Sequence, residues 1–248
     1  MTLNYQFGTS LRILFMNGIL ALKRQTNLII SLFLTPFTFV YFLYLVSPRT
    51  ELPFGVVGAI IFTTVFTGNA MMNDSAYYRL EHHIQDLYVA SPVRPLFYVL
   101  GLALSELVFV VPPLVILFLI LSTVERLTLF NVAAMLATVL LTWIMASSLG
   151  FMIASFFREY REIWPIASVT FNSISIIPPV FYPISVIPSA FRWIAYVVPT
   201  TYSALLGDAA VGLRGSSSSM IPLYALSLVI STAIFVGVAA LFTRWREA

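Results

Sequence analysis

Six uninterrupted apolar stretches, each near the length a helix needs to cross a bilayer, leave this chain few folds to adopt. They cover residues 28–46, 54–72, 96–121, 131–156, 163–182 and 221–243. At 1.5 Å rise per residue, about 20 residues cross the ~30 Å hydrocarbon layer. The runs are continuous rather than alternating, which argues against membrane strands, and a chain in lipid must satisfy its own backbone polar groups. Only 9% of the residues are charged, where a soluble domain carries about 25%. The expectation is an all-α membrane protein with six transmembrane helices, formed by one transmembrane domain over residues 1–248.

Lys and Arg set the orientation. With the N-terminus inside, Arg12, Lys23, Arg24, Arg79, Arg94, Arg158, Arg161, Arg244 and Arg246 face the cytoplasm, against Arg49, Arg126, Arg192 and Arg214 outside. Nine of the thirteen basic residues inside favour both termini in the cytoplasm. Because these basic residues sit in loops rather than in one stripe, the net charge of +3 does not point to nucleic acid. The chain has no cysteine, so disulfides and thiolate metal sites are excluded. The first residues do not read as a signal peptide, because Asn4, Gln6, Arg12 and Asn17 interrupt their apolar positions. In residues 1–27, Phe7, Leu11, Leu14, Phe15, Gly18 and Leu22 recur at spacings of three and four. That stripe predicts an amphipathic helix lying in the inner headgroup region.

One polar island interrupts the apolar pattern. Residues 74–94 read DSAYYRLEHHIQDLYVASPVR and hold Asp74, Glu81, Asp86 and both histidines. Leu80, Ile84 and Leu87 fall at i, i+4 and i+7, which predicts a short amphipathic helix. Ser91, Pro92 and Pro95 end it, since proline lacks the amide donor and disfavours a helical predecessor. At about 20 residues with internal periodicity, the segment is longer than a simple connection requires. A short helix between two spans suits docking to a cytoplasmic partner. His82 and His83 are adjacent, so they point about 100° apart on a helix, and no third ligand lies at metal spacing. They read as solvated. The second cytoplasmic connection, residues 157–162 (FREYRE), reads as a charged turn in which Arg158 and Glu162 stand at i, i+4.

No phosphate-loop motif, nucleophile elbow or zinc-binding HExxH occurs in the chain. It is therefore not read as an enzyme, and any ATP-driven work needs a nucleotide site on another chain. Within the spans Glu106 stands out as an ionisable group. It is either a group on a translocation path or a structural carboxyl satisfied by a hydroxyl such as Ser105.

Residues 183–219 are read as an outer hairpin and linker. Pro178, Pro179, Pro183, Pro188 and Pro199 cut this part of the chain into short helical pieces, and such backbone is tolerated at membrane depth only under protein or water cover. The reading is a re-entrant helical hairpin before the last span, with an aromatic belt that includes Phe181, Tyr182, Trp193 and Tyr202. Some of these aromatics, with Glu106, are candidates to line a substrate path. Residues 216–219 read as a flexible linker. Ala146, Gly150 and Ala154 in the fourth span allow close helix packing, within one subunit or between two.

These residues together resemble the membrane subunit of type-2 ATP-binding-cassette exporters, the group that includes daunorubicin-resistance and polysaccharide-export permeases. The resemblance covers nearly the whole chain. It is carried most specifically by residues 87–101 (LYVASPVRPLFYVLG) and 181–202 (FYPISVIPSAFRWIAYVVPTTY). The outer signature of F-P, L-P and P-L-T-Y stands here as Tyr182-Pro183, Ile187-Pro188 and Pro199-Thr200-Thr201-Tyr202. Leu102 replaces the lysine of the family's L-L-G-K.

The resemblance implies a prokaryotic inner or plasma membrane protein that works with a separate ATP-binding-cassette ATPase subunit holding ATP and Mg. It also implies a second copy of the chain or a homologous permease, with the substrate path between the two. Residues 79–91 would form the coupling helix, with Arg79, Leu80, Glu81, Ile84, Asp86, Leu87, Ser91 and Pro92 as coupling residues. Scarce charge in the spans favours an amphipathic, drug-like or lipid-like substrate. A lipid-linked polysaccharide is the alternative cargo, and a membrane assembly component of similar fold is the alternative role.

Overall fold

A computed structural model describes residues 3–24, 26–49, 51–213 and 218–242. Arg214, Arg244 and Arg246, and residues 216 and 217 of the expected linker, lie outside the described residues. The N-terminal segment forms α1 (Leu3–Ile13), a π-helical stretch (Leu14–Ile19) and α2 (Leu20–Arg24). The apolar body follows as α3 (Thr26–Val46), α4 (Leu52–Ala76), a π-turn (Tyr77–Glu81), α5 (Ile84–Ala90), α6 (Pro95–Val124), α7 (Leu129–Ala154) and α8 (Tyr160–Ile176). Two 3₁₀ turns, α9 (Arg192–Val197), α10 (Pro199–Ala210), another 3₁₀ turn and α11 (Ile221–Phe242) complete the described chain. No strand occurs among the described residues.

Local chemistry fixes the ends. Prolines open α6 and α10, where the missing amide hydrogen costs nothing. The Thr128 hydroxyl accepts from the Asn131 amide to cap α7. Prolines inside α3, α6 and α8 interrupt the helical ladder without ending it, as membrane helices tolerate.

Among the described residues, four helices are long and apolar enough to cross a membrane: Leu52–Glu81, Pro95–Val124, Leu129–Ala154 and Ile221–Leu241. They coincide with four of the six expected spans. The expected span at 28–46 falls on α3, whose shorter apolar part is Phe33–Val46. The expected span at 163–182 is cut short, because α8 ends at Ile176 just before Pro178 and Pro179. Its 17 residues reach roughly 26 Å at 1.5 Å each.

α4 is the central element. Of its apolar window 89% is buried inside the protein, against 11% for α11. α4 packs against α3, α6, α7, α8 and α10. Small residues make its approach to α7 close. A Cβ on Gly150 would stand 2.1 Å from the Gly68 carbonyl oxygen, and one on Gly68 would stand 2.4 Å from that of Ala146. The small stripe Ala146, Gly150 and Ala154 is thereby used within the chain, where all three are buried. α10 is buried against α4, α7 and α11.

The apolar stripe of the N-terminal segment is turned mostly away from the rest of the protein. Phe7, Leu11 and Phe15 are exposed, and the face laid on the protein is Gln6, Thr9, Ser10 and Ile13. Polar anchoring holds the opposite face against the protein. Ser10 donates to the Phe97 carbonyl at 2.5 Å. Gln6 donates to the Pro92 carbonyl at 2.9 Å and accepts from the Arg94 amide at 3.0 Å. Ile13 fills the space above Gly101.

Candidate functional site

Two features meet at one end of the bundle, where α4 ends and α6 begins: a polar cavity, and the connection that carries α5. The connection departs from the expected continuous helix. α4 runs through Asp74 to Ala76 and then widens into the π-turn, which His82 closes by donating its amide to the Tyr77 carbonyl at 3.1 Å. His83 adopts the left-handed conformation at φ 51° and breaks the chain direction before α5 begins. Leu80 thus lies before the break and packs on the core, while Ile84 and Leu87 lie after it. The three do not form one helical stripe.

The remaining coupling candidates divide in the same way. Leu87 is 71% exposed, and Glu81, His82, His83 and Pro92 are exposed beside it. Asp86 approaches His83 Nδ1 at 3.3 Å. Ser91 donates to the Tyr88 carbonyl at 2.7 Å and receives the Val93 amide, so it closes the end of α5. Burial pushes the Tyr88 phenol above its usual range, and its ring packs on Tyr98 with centroids 4.9 Å apart. The exposed apex is therefore Glu81, His82, His83 and Leu87, with Ile84 half-buried behind it.

Arg79 does not face outward. It is buried, and its guanidinium donates to the carbonyls of Ala154, Ser155 and Phe157 at 2.6, 2.9 and 2.6 Å. These carbonyls terminate α7 and would otherwise lack partners, so Arg79 caps the negative end of that helix with a charge. It joins the first connection to the second. Arg158 precedes α8, and among the described residues no ion pair joins it to Glu162.

Above the connection lies a cavity of about 530 Å³, within the range of small-molecule sites. Its polar wall is Asn17, Asn69, Asn73, Asp74 and Glu106. Its aromatic wall is Phe62, Phe66, Tyr77, Tyr78, Phe109 and Trp164. Glu106 is 4% exposed, and the side chains of Asp74 and Glu106 lie within hydrogen-bonding reach of each other. Glu106 Oε1 has no hydrogen-bond partner among the described residues. Ser105 does not supply one, because its hydroxyl donates to the Leu102 carbonyl at 2.6 Å. Asn73 donates to both the carbonyl and the side-chain oxygen of Asn69.

The other path candidates are not gathered here. Phe181 stacks on Phe39 at 4.9 Å and meets the cavity residue Phe62 at 5.8 Å, which leaves it one ring away from the cavity. The Tyr182 hydroxyl donates to the Ile177 carbonyl. Tyr202 belongs to a separate cluster with Tyr196 and Tyr224 between α10 and α11. Asp74 is the site residue the sequence reading misplaced, as part of the solvated island. The signal was present: Asn69, Asn73 and Asp74 stand at i, i+4 and i+5 of a helix that is otherwise apolar.

A family model described as ABC-2 type transporter matches residues 9–205. No curated protein is matched. The match takes in the N-terminal segment from Thr9 on, the cavity, both connections and most of α10, and so the chain belongs to the ABC-2 type transporter family.

Proposed function

We propose that this chain is the permease subunit of an ATP-driven exporter, and that it moves an amphipathic, drug-like or lipid-like molecule with energy from a separate ATPase subunit that holds ATP and Mg. The observation that carries the reading is the connection beneath the cavity. Its exposed apex at Leu87 and Glu81 suits a partner surface, and its buried Arg79 is bonded to the end of α7. A push on α5 would be passed through the π-turn to α4 and through Arg79 to α7. The N-terminal helix would follow, since Gln6 holds both Pro92 and Arg94.

In this reading the chain lies in the inner membrane with both termini in the cytoplasm, pairs with a second copy or a homologous permease, and crosses six times. The exposed Phe7, Leu11 and Phe15 of the N-terminal helix would rest in the inner headgroup layer. The Pro-cut segment before α11 would form the outer hairpin. Phe181, next to the cavity wall, would lie toward the exit.

The test is ATP-dependent uptake of a fluorescent amphiphile into inside-out vesicles containing the chain and its ATPase subunit. Uptake should need both proteins and should stop when the phosphate-loop lysine of the ATPase is replaced. Equal uptake by vesicles lacking the chain would refute the export reading.

A further inference from the structure

We propose that the cavity between α3, α4, α6 and α8 is a recognition site for an amphipathic organic cation, with Asp74 and Glu106 receiving its amine. This inference rests on the export reading and names the substrate class of the cavity.

The first argument is charge. Two carboxyl side chains face the cavity, and no Lys or Arg lines it among the described residues. A carboxylate only accepts hydrogen bonds, so two of them side by side need a shared donor. That donor is a proton or the ammonium group of a bound molecule. Glu106 Oε1, buried and unpartnered, offers an acceptor for it. The Asn73 side-chain oxygen is likewise buried without a donor.

The second argument is shape. A bare metal ion needs a compact shell of oxygen ligands, whereas this space of about 530 Å³ has six aromatic side chains in its wall. Tyr77, Tyr78, Phe66 and Phe109 line the same space as the two carboxyls, and a cation held over an aromatic face gains further attraction. Trp164 and Tyr77 at the rim are exposed, which leaves a way in. An anionic or neutral amphiphile would meet the same rings but would leave both carboxyls uncompensated.

The test uses the full chain purified with its ATPase subunit in mild detergent. Bound radiolabelled decylamine is displaced by dodecylamine or by dodecanoate of equal length. Dodecylamine should compete and dodecanoate should not. Glu106→Gln and Asp74→Asn should each weaken the cation by roughly tenfold or more, the scale of a lost charge-assisted hydrogen bond. Trp164→Phe, at an exposed position, tests the rim without a burden on folding and should weaken binding by a few fold. A thermal-unfolding midpoint for each variant shows that it is folded.

Equal competition by dodecanoate, or unchanged cation affinity in folded Asp74→Asn and Glu106→Gln variants, would overturn the assignment. The export reading fails separately. If cations bind as expected but never stimulate ATP hydrolysis or vesicle uptake, the site stands and export does not. If neutral amphiphiles drive uptake while cations do not bind, export stands and the cation site does not.

Discussion

Arg79 donates to the carbonyl of Ala154 at 2.6 Å, and this contact ties the end of the central helix to the end of α7. With the bonds to Ser155 and Phe157 it makes one side chain the junction of the two connections at that end of the bundle. Arg79→Ala removes the charge and leaves three carbonyls without that donor. A loss of about 2–4 kcal/mol is expected, as for breaking a buried charged network. Arg79→Lys should recover only part of it, because an ammonium cannot present the planar fork. Thermal unfolding of the purified complex measures both.

The apex and the core side of the same connection should separate cleanly. Leu80 packs on the core, so Leu80→Ser should cost about 1–2 kcal/mol of stability. Leu87 is largely exposed, and Leu87→Ser should leave stability within about 0.5 kcal/mol while lowering substrate-stimulated ATP hydrolysis. Parallel unfolding and ATPase assays would show whether the two effects divide this way.

Gln6 holds the start of α6 from outside. Gln6→Ala should free the Arg94 amide and the Pro92 carbonyl together. Hydrogen exchange at the Arg94 amide should accelerate, while amides in the middle of α4 should stay protected. Unchanged exchange at Arg94 would show that the N-terminal helix does not restrain the connection.

The α4–α7 contact has no room for a methyl group. Gly150→Ala places a Cβ against the Gly68 carbonyl and should cost about 2 kcal/mol or more. Gly8→Ala and Gly237→Ala meet nothing within 4 Å, and each should gain up to about 1 kcal/mol from helix propensity. Melting temperatures of the three variants in one detergent decide the matter.

Much of the architecture was legible because lipid demands it. Long apolar runs gave α4, α6, α7 and α11, and Pro178 with Pro179 marked where α8 gives way to short helical pieces. Periodicity shows which residues share a face, and tertiary contacts decide where that face lies or whether it survives. Phe7, Leu11 and Phe15 were readable as one face, but only Gln6 and Ser10 bonding to α6 decides which face meets protein. Leu80, Ile84 and Leu87 kept a helical spacing through a segment that the π-turn and the left-handed His83 break apart. Asp74 was read with the polar island, because its spacing to Asn69 and Asn73 gains meaning only once Glu106, on another helix, shares the same cavity. Arg79 likewise looked exposed, since its partners lie more than seventy residues away.

In the proposed mechanism, energy enters through the exposed apex of α5. A photo-crosslinking amino acid at position 87, in cells that express the chain with its ATPase subunit, tests this most directly. The expected result is an adduct between the chain and the ATPase, and no such adduct from a probe at position 129, at the other end of the bundle. Robust adducts from 129 with none from 87, in a complex that still hydrolyses ATP, would contradict it.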